Sequence, residues 1–126
     1  MRTVGARLVS IEPGRVVIEW PFGSHLTQQH GFLHAGVVVA VADSACGYAA
    51  LSLMRPGVAV LSVEFKVNLM RPAAGEHFRA VGRVIRAGRT LSVCGAEVQA
   101  HAAGKETTIA VMQGTMMAVE NASLAD

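Results

Sequence analysis

Aromatic side chains are scarce in this 126-residue chain, which has four Phe, one Tyr and one Trp. Its eleven Lys and Arg stand along the chain without a basic run and with few rings between them to stack on bases, so a net charge of +2 leaves no footprint for nucleic acid. Cysteine is equally sparse. Cys46 and Cys94 form no close pair and have no secretory context, which predicts reduced cytosolic thiols rather than a disulfide framework. A secretion signal and a membrane span are also missing from the pattern. MRTVGARLVS has no long apolar core, and the apolar stretch after residue 35 is cut by Asp43, Ser44 and Gly47 before it could cross a bilayer. Repeats, low-complexity segments and linkers are absent. The expectation is a cytoplasmic protein with one domain over residues 1–126 and with neither nucleic acid nor membrane as a partner.

Apolar residues, by contrast, make up 52% of the chain against 16% charged, an excess that predicts burial of apolar surface against a second copy. RLVSIE and RVVIEW flank Pro13 and Gly14, and both are short and β-branched, which predicts a hairpin over residues 6–20 followed by a loop over 21–33. Residues 35–54, rich in Ala with Leu and Met, have the length of a helix closed by Arg55, Pro56 and Gly57. Four strand patterns follow, over residues 58–70, 77–87, 90–101 and 107–119, with short connections that suit antiparallel meanders. The architecture is α+β, an antiparallel sheet wrapping one central helix.

One charge interrupts the helix. GFLHAGVVVAVADSACGYAA, residues 31–50, carries Asp43 in its middle. A helix apolar on nearly all sides is buried on nearly all sides, so the carboxylate cannot reach water by facing outward. Two readings stand. Asp43 caps a new helical turn after a break, since Asp-Ser is a good N-cap pair and Gly47 lies nearby. Alternatively, it is a functional carboxylate in a partly dry site, where desolvation raises its basicity and primes it for proton or acyl chemistry.

HGFLHAGVVVAVADSACGYAA resembles the signature of hotdog-fold acyl-CoA thioesterases of the phenylacetic-acid-degradation (PaaI-like) type. His34, Ala35 and Gly36 precede Ala42 and Asp43 at that family's interval, and NLMRPAAG, residues 68–75, is similar to its strand-ending Arg-Pro motif. The resemblance covers most of the chain and is weakest over the first twenty residues. It implies a hotdog fold and hydrolysis of an acyl-CoA to a carboxylic acid and free coenzyme A, with no metal and no cofactor. Asp43 would attack the thioester carbonyl or activate a water. Ala35, where many members have Gly, would lend its backbone N–H at the helix N-terminus as the oxyanion donor, and Gly36 would allow close approach. Gln28, beside a second candidate in Gln29, would hold the substrate carbonyl or the water, and Ser62 would assist the carboxylate. His34 would shape the loop against the substrate.

Eight residues of helix separate Ala35 from Asp43, about 12 Å at roughly 1.5 Å per residue. One carbonyl cannot touch both, since it needs its nucleophile within about 3.5 Å and its oxyanion donors within about 3 Å. The site is therefore expected across a dimer interface, and similar proteins pair two hotdogs side by side, often again into tetramers. Coenzyme A carries phosphates, for which Arg55, Lys66, Arg71, Arg86 and Arg89 are candidates. Arg89 comes first because the AGRT turn joins a guanidinium to turn N–H groups. His30 and His34 stand at the i, i+4 spacing of a zinc pair, but Gly31 and their place before the helix argue against one. Cys46 reads as core packing. Two rival functions carry over: a dehydratase of the same fold, which uses a catalytic His pattern not matched here, and a non-catalytic acyl-CoA binder with Asp43 as a cap.

Overall fold

The computed structural model describes residues 1–120, and residues 121–126 of the expected domain lie outside the described residues. Among the described residues one α-helix, α1 (Ala35–Leu51), lies across a six-stranded sheet of β1 (Arg7–Glu12), β2 (Arg15–Pro21), β3 (Ala59–Leu69), β4 (His77–Arg86), β5 (Leu91–Ala102) and β6 (Lys105–Val119). All pairings are antiparallel. This is the α+β hotdog architecture expected from the sequence, and each strand falls on its apolar pattern. Gly14, at φ 75°, makes the tight turn of the β1–β2 hairpin that Pro13-Gly14 announces.

The strand order is β1-β2-β4-β5-β6-β3, so the expected meanders hold for β4, β5 and β6 and fail for β3. β3 pairs with β6 at the far edge instead of with β4. The connection over residues 70–76 runs across the sheet's end: the Met70 N–H donates to Ile109 O at 2.8 Å and the Glu76 N–H to His101 O at 2.8 Å. Three strand spacings amount to roughly 14 Å, well within the reach of a short extended segment, so a brief connection does not require neighbouring strands. Gly75 is needed at this crossing because a Cβ there would stand 2.9 Å from His101 O.

α1 packs chiefly on β4 and β5 through Val38, Val41, Ala42, Ala45, Cys46 and Ala49. Small side chains bring it close, and Gly82 of β4 sets the distance, since a Cβ there would lie 2.3 Å from Ala45 O. Beneath the helix the fully buried Trp20 and Phe78 stack at 5.4 Å, and truncating either would cost about 3–5 kcal/mol. The helix is three residues shorter than its apolar pattern. It ends at Leu51 because the Ser52 hydroxyl turns back to Ala49 O at 2.7 Å and accepts the Gly14 N–H at 2.8 Å, leaving residues 53–54 in a turn.

A second correction concerns helix burial. The sheet covers one face of α1, whereas Gly36, Ala40 and Tyr48 are exposed along the other and Asp43, Ser44 and Gly47 are half-buried beside them. Within one chain, the carboxylate therefore stands on a helix face left open by its own sheet.

Candidate active site

Asp43 lies inside a continuous helix, which removes the reading that it caps a new turn. Its partner comes from β3. Alternation along that strand turns Ser62 toward α1, and the Ser62 hydroxyl donates to Asp43 Oδ1 at 2.7 Å. A register shift between Ser62 and Glu64 marks a bulge at this point, the usual device for re-aiming a strand side chain. The pair lines a hollow of about 140 Å3 together with Ser44, Gly47, Tyr48 and Val60. Oδ1 is occupied by the serine, leaving Oδ2 as the oxygen with no protein donor among the described residues.

The other expected elements gather at the start of the helix. Gln28 and Ala35 line a second cavity of about 500 Å3, walled by Phe32, Val38, Leu69 and Ile109 among others. His34 is the N-cap, and its Nδ1 accepts the Gly36 N–H at 2.9 Å. A Cβ at Gly36 would come 3.0 Å from that Nδ1, so glycine there admits the cap. With Gly36 engaged and Val37 bonded to His34 O, the Ala35 N–H has no acceptor among the described residues. It stands at the positive end of the helix on the wall of an apolar cavity, where an oxyanion donor has its greatest effect. Gln28 is half-buried and its Oε1 accepts the His30 N–H, leaving the amide N–H2 to donate; Gln29 is exposed. The structure thereby separates the two glutamines that adjacency in sequence left together.

Arg71 lines the same large cavity and Arg89 does not. Arg89 sits in the β4–β5 connection, at the other end of β4 from residue 71, roughly 30 Å along the strand at about 3.3 Å per residue. Arg55 pairs with Glu120, and Lys66 lines a separate groove together with Glu64. Tyr48, which sequence reasoning passed over, borders the Asp43 hollow. The signal available was its spacing, one helical turn beyond Ser44.

Neither thiol is poised to react. Burial pushes Cys46 up to about 12 and Cys94 up to about 11 from the ordinary 9.0. A thiol reagent at pH 8 is therefore expected to leave the folded protein unlabelled and to modify both residues on unfolding; prompt labelling of the native protein would contradict this burial. Because the folded state keeps these protons where the unfolded chain loses them, their contribution to stability is full below pH 9 and is lost as the pH rises through 11 to 12.

The thioesterase superfamily profile matches residues 30–105. A thioesterase family protein of Silicibacter pomeroyi, solved by crystallography, is 54% identical and superposes with a TM-score of 0.93 over 94% of this chain and 88% of that one. The acyl-coenzyme A thioesterase 13 of Homo sapiens is 33% identical over 101 residues, 78% of this chain and 70% of that protein. A protein of Saccharolobus solfataricus named as an esterase is 31% identical over 69% of this chain, and the match spans 61% of that relative's length.

Proposed function

The chain belongs to the thioesterase superfamily, and from that premise we propose that it hydrolyses an acyl-CoA thioester to the carboxylic acid and free coenzyme A. The observation that carries this reading is the Asp43 carboxylate, held by Ser62 at 2.7 Å on an open helix face with one oxygen left without a protein donor. A thioester carbonyl seated there has its carbon beside Oδ2. In one route Asp43 takes a proton from water, the hydroxide oxygen bonds to the carbonyl carbon, and the Ala35 N–H receives the negative charge on the carbonyl oxygen. Collapse breaks the C–S bond, and the proton on Asp43 passes to the departing thiolate. In the other, Asp43 itself bonds to the carbon, the thiolate leaves and picks up a proton from solvent, and water then splits the resulting anhydride into acid and Asp43. Single-turnover hydrolysis in 18O-water separates them, because only the anhydride route can leave label in the Asp43 carboxylate. A panel of acyl-CoAs with thiol release as the readout tests the activity itself; no release from any of them would end the reading.

The two halves of this site belong to two protomers. Asp43 and Ser62 border one hollow and Gln28 and Ala35 another, separated along one helix by about 12 Å. β3 supplies the means of pairing. It is a long edge strand with Leu61, Val63 and Phe65 exposed at 45%, 53% and 44%, an unprotected edge that a soluble monomer normally blunts. The protein is expected to sediment as a dimer or tetramer at micromolar concentration, and a stable, active monomer would overturn the shared site. Arg71, on the rim of the Ala35 cavity, is the cation best placed for a coenzyme A phosphate. Two buried, unpaired thiols fit a reducing compartment, which supports a cytoplasmic location.

A further inference from the structure

We infer that Met116 positions the Asp43 carboxylate by acting on Ser62: its buried thioether is a dry plug that keeps the Ser62 hydroxyl proton on Asp43. This rests on the thioesterase reading above. Among the described residues the Ser62 hydroxyl meets two acceptors, Asp43 Oδ1 at 2.7 Å and the Met116 sulfur at 3.4 Å. Both cannot have its single proton. A thioether is a weak acceptor and a carboxylate a strong one, so the sulfur touches the hydroxyl without taking the proton from Asp43.

The placement of Met116 follows from the sheet. On β6 it stands directly opposite Ser62 of β3 on one side and Ser92 of β5 on the other, so the three side chains form a row on the helix-facing side. Met116 is fully buried and Ser92 nearly so, which leaves the thioether as the partition between two hydroxyls. Its terminal methyl lies over Gly114, where a Cβ would meet Met116 Cε at 3.6 Å. Ser62 itself has little else to hold it. It is exposed, lies on an edge strand and borders the register shift before Glu64, and a free serine samples several staggered rotamers. Shortening Met116 opens space for a water, which occupies about 30 Å3 and needs roughly two to four polar partners; Ser62 and Ser92 supply hydroxyls on both sides. Such a water is a better acceptor than sulfur. It draws the Ser62 proton away from Asp43, and the carboxylate plane is no longer fixed with Oδ2 toward the substrate.

The test measures kcat and KM on acyl-CoAs, together with crystal structures, for Met116→Val, Met116→Ala and Met116→Leu, each also combined with Ser62→Ala. Valine and alanine remove the plug, and valine carries the comparison if alanine unfolds the chain. In the folded variants Ser62 should turn from Asp43 toward a water lodged between residues 62 and 92, and kcat should fall about tenfold with KM near the wild-type value. Leucine refills the space with a side chain of similar volume and no acceptor at all, so Met116→Leu should stay dry, keep the bond from Ser62 to Asp43 and recover most of that loss. The loss also has a ceiling. Because Met116 acts through Ser62, it cannot exceed that of Ser62→Ala, and Met116→Val should cost nothing further in the Ser62→Ala background. A general core defect would instead lower activity equally with and without the Ser62 hydroxyl. An unmoved bond from Ser62 to Asp43 in Met116→Val, or a kcat loss of the same size in both backgrounds, overturns the proposal. If the wild type cleaves no thioester while Ser62 swings in Met116→Val, the hydrolytic reading falls and the positioning stands. If thioesters are cleaved and Ser62 does not move, the positioning falls and the hydrolytic reading stands.

Discussion

Asp43→Asn is expected to lower kcat for acyl-CoA hydrolysis by about a hundredfold or more while leaving KM, melting temperature and oligomeric state close to those of the wild type. The amide has the size and shape of the carboxylate and still presents an oxygen to the Ser62 hydroxyl, which now donates to Oδ1 at 2.7 Å, so the local packing survives. What disappears is the chemistry. An amide neither accepts a proton from water near neutral pH nor attacks a carbonyl, so both routes to the acid are closed by the same substitution. In the proposed site substrate would be held mainly by the apolar walls and by surface cations, which this substitution leaves unchanged, so the loss is expected to fall on kcat. Ser62→Ala should cost less, because it removes a group that orients the carboxylate and leaves the carboxylate itself in place. Release of free thiol at the wild-type rate by Asp43→Asn would remove Asp43 from the reaction.

The elements of the fold were legible because each is announced locally. β-branched runs bounded by Pro13-Gly14 and Gly104 mark strands, and the Ala-rich stretch after His34 marks the helix. Strand order was not, because the pairing of β3 with β6 joins residues about as far apart as Ala59 and Val119, and nothing near either end states it. The helix end was misread for a local reason. Leu53 and Met54 continue the apolar pattern past Ser52, while the hydroxyl that stops the helix is identified only by its bond to Gly14, on a hairpin distant in sequence.

The candidate site divides in the same way. Asp43 stands out as a lone carboxylate in an apolar segment, and the alternation of β3 turns Ser62 inward to meet it. Gln28 stands out by its interval before His34, and what the structure adds is that Gln28 is half-buried on the wall of the Ala35 cavity while Gln29 is exposed. The exposed face of α1 is the clearest case of physics hidden from the sequence. Gly36, Ala40 and Gly47 look like core residues, yet their small size is what leaves shallow space on the side of the helix that the chain's own sheet does not cover.

Mixing two inactive variants should restore activity if the site is built from two chains. Asp43→Ala removes the carboxylate. Ala35→Pro removes the oxyanion donor, a loss worth about a hundredfold to a thousandfold in kcat. The structure makes the second variant a clean one. Residue 35 is the first of the helix, where proline is tolerated, and His34 before it has φ −62° and ψ 136°, the extended conformation proline demands of its predecessor. The Ala35 N–H bonds to no acceptor among the described residues, so nothing structural is lost with it. Each homodimer is then dead. In a heterodimer one site joins the intact Asp43 of the proline variant to the intact Ala35 N–H of the alanine variant, while the other site carries both lesions. Activity should approach half of wild type per heterodimer, or about one quarter in an equal mixture at full exchange, where half of the dimers are mixed. A site formed within one chain would keep one lesion at every centre and recover nothing. Failure of activity to return, with heterodimers confirmed by native mass spectrometry, would show that Asp43 and the Ala35 N–H do not meet across two protomers.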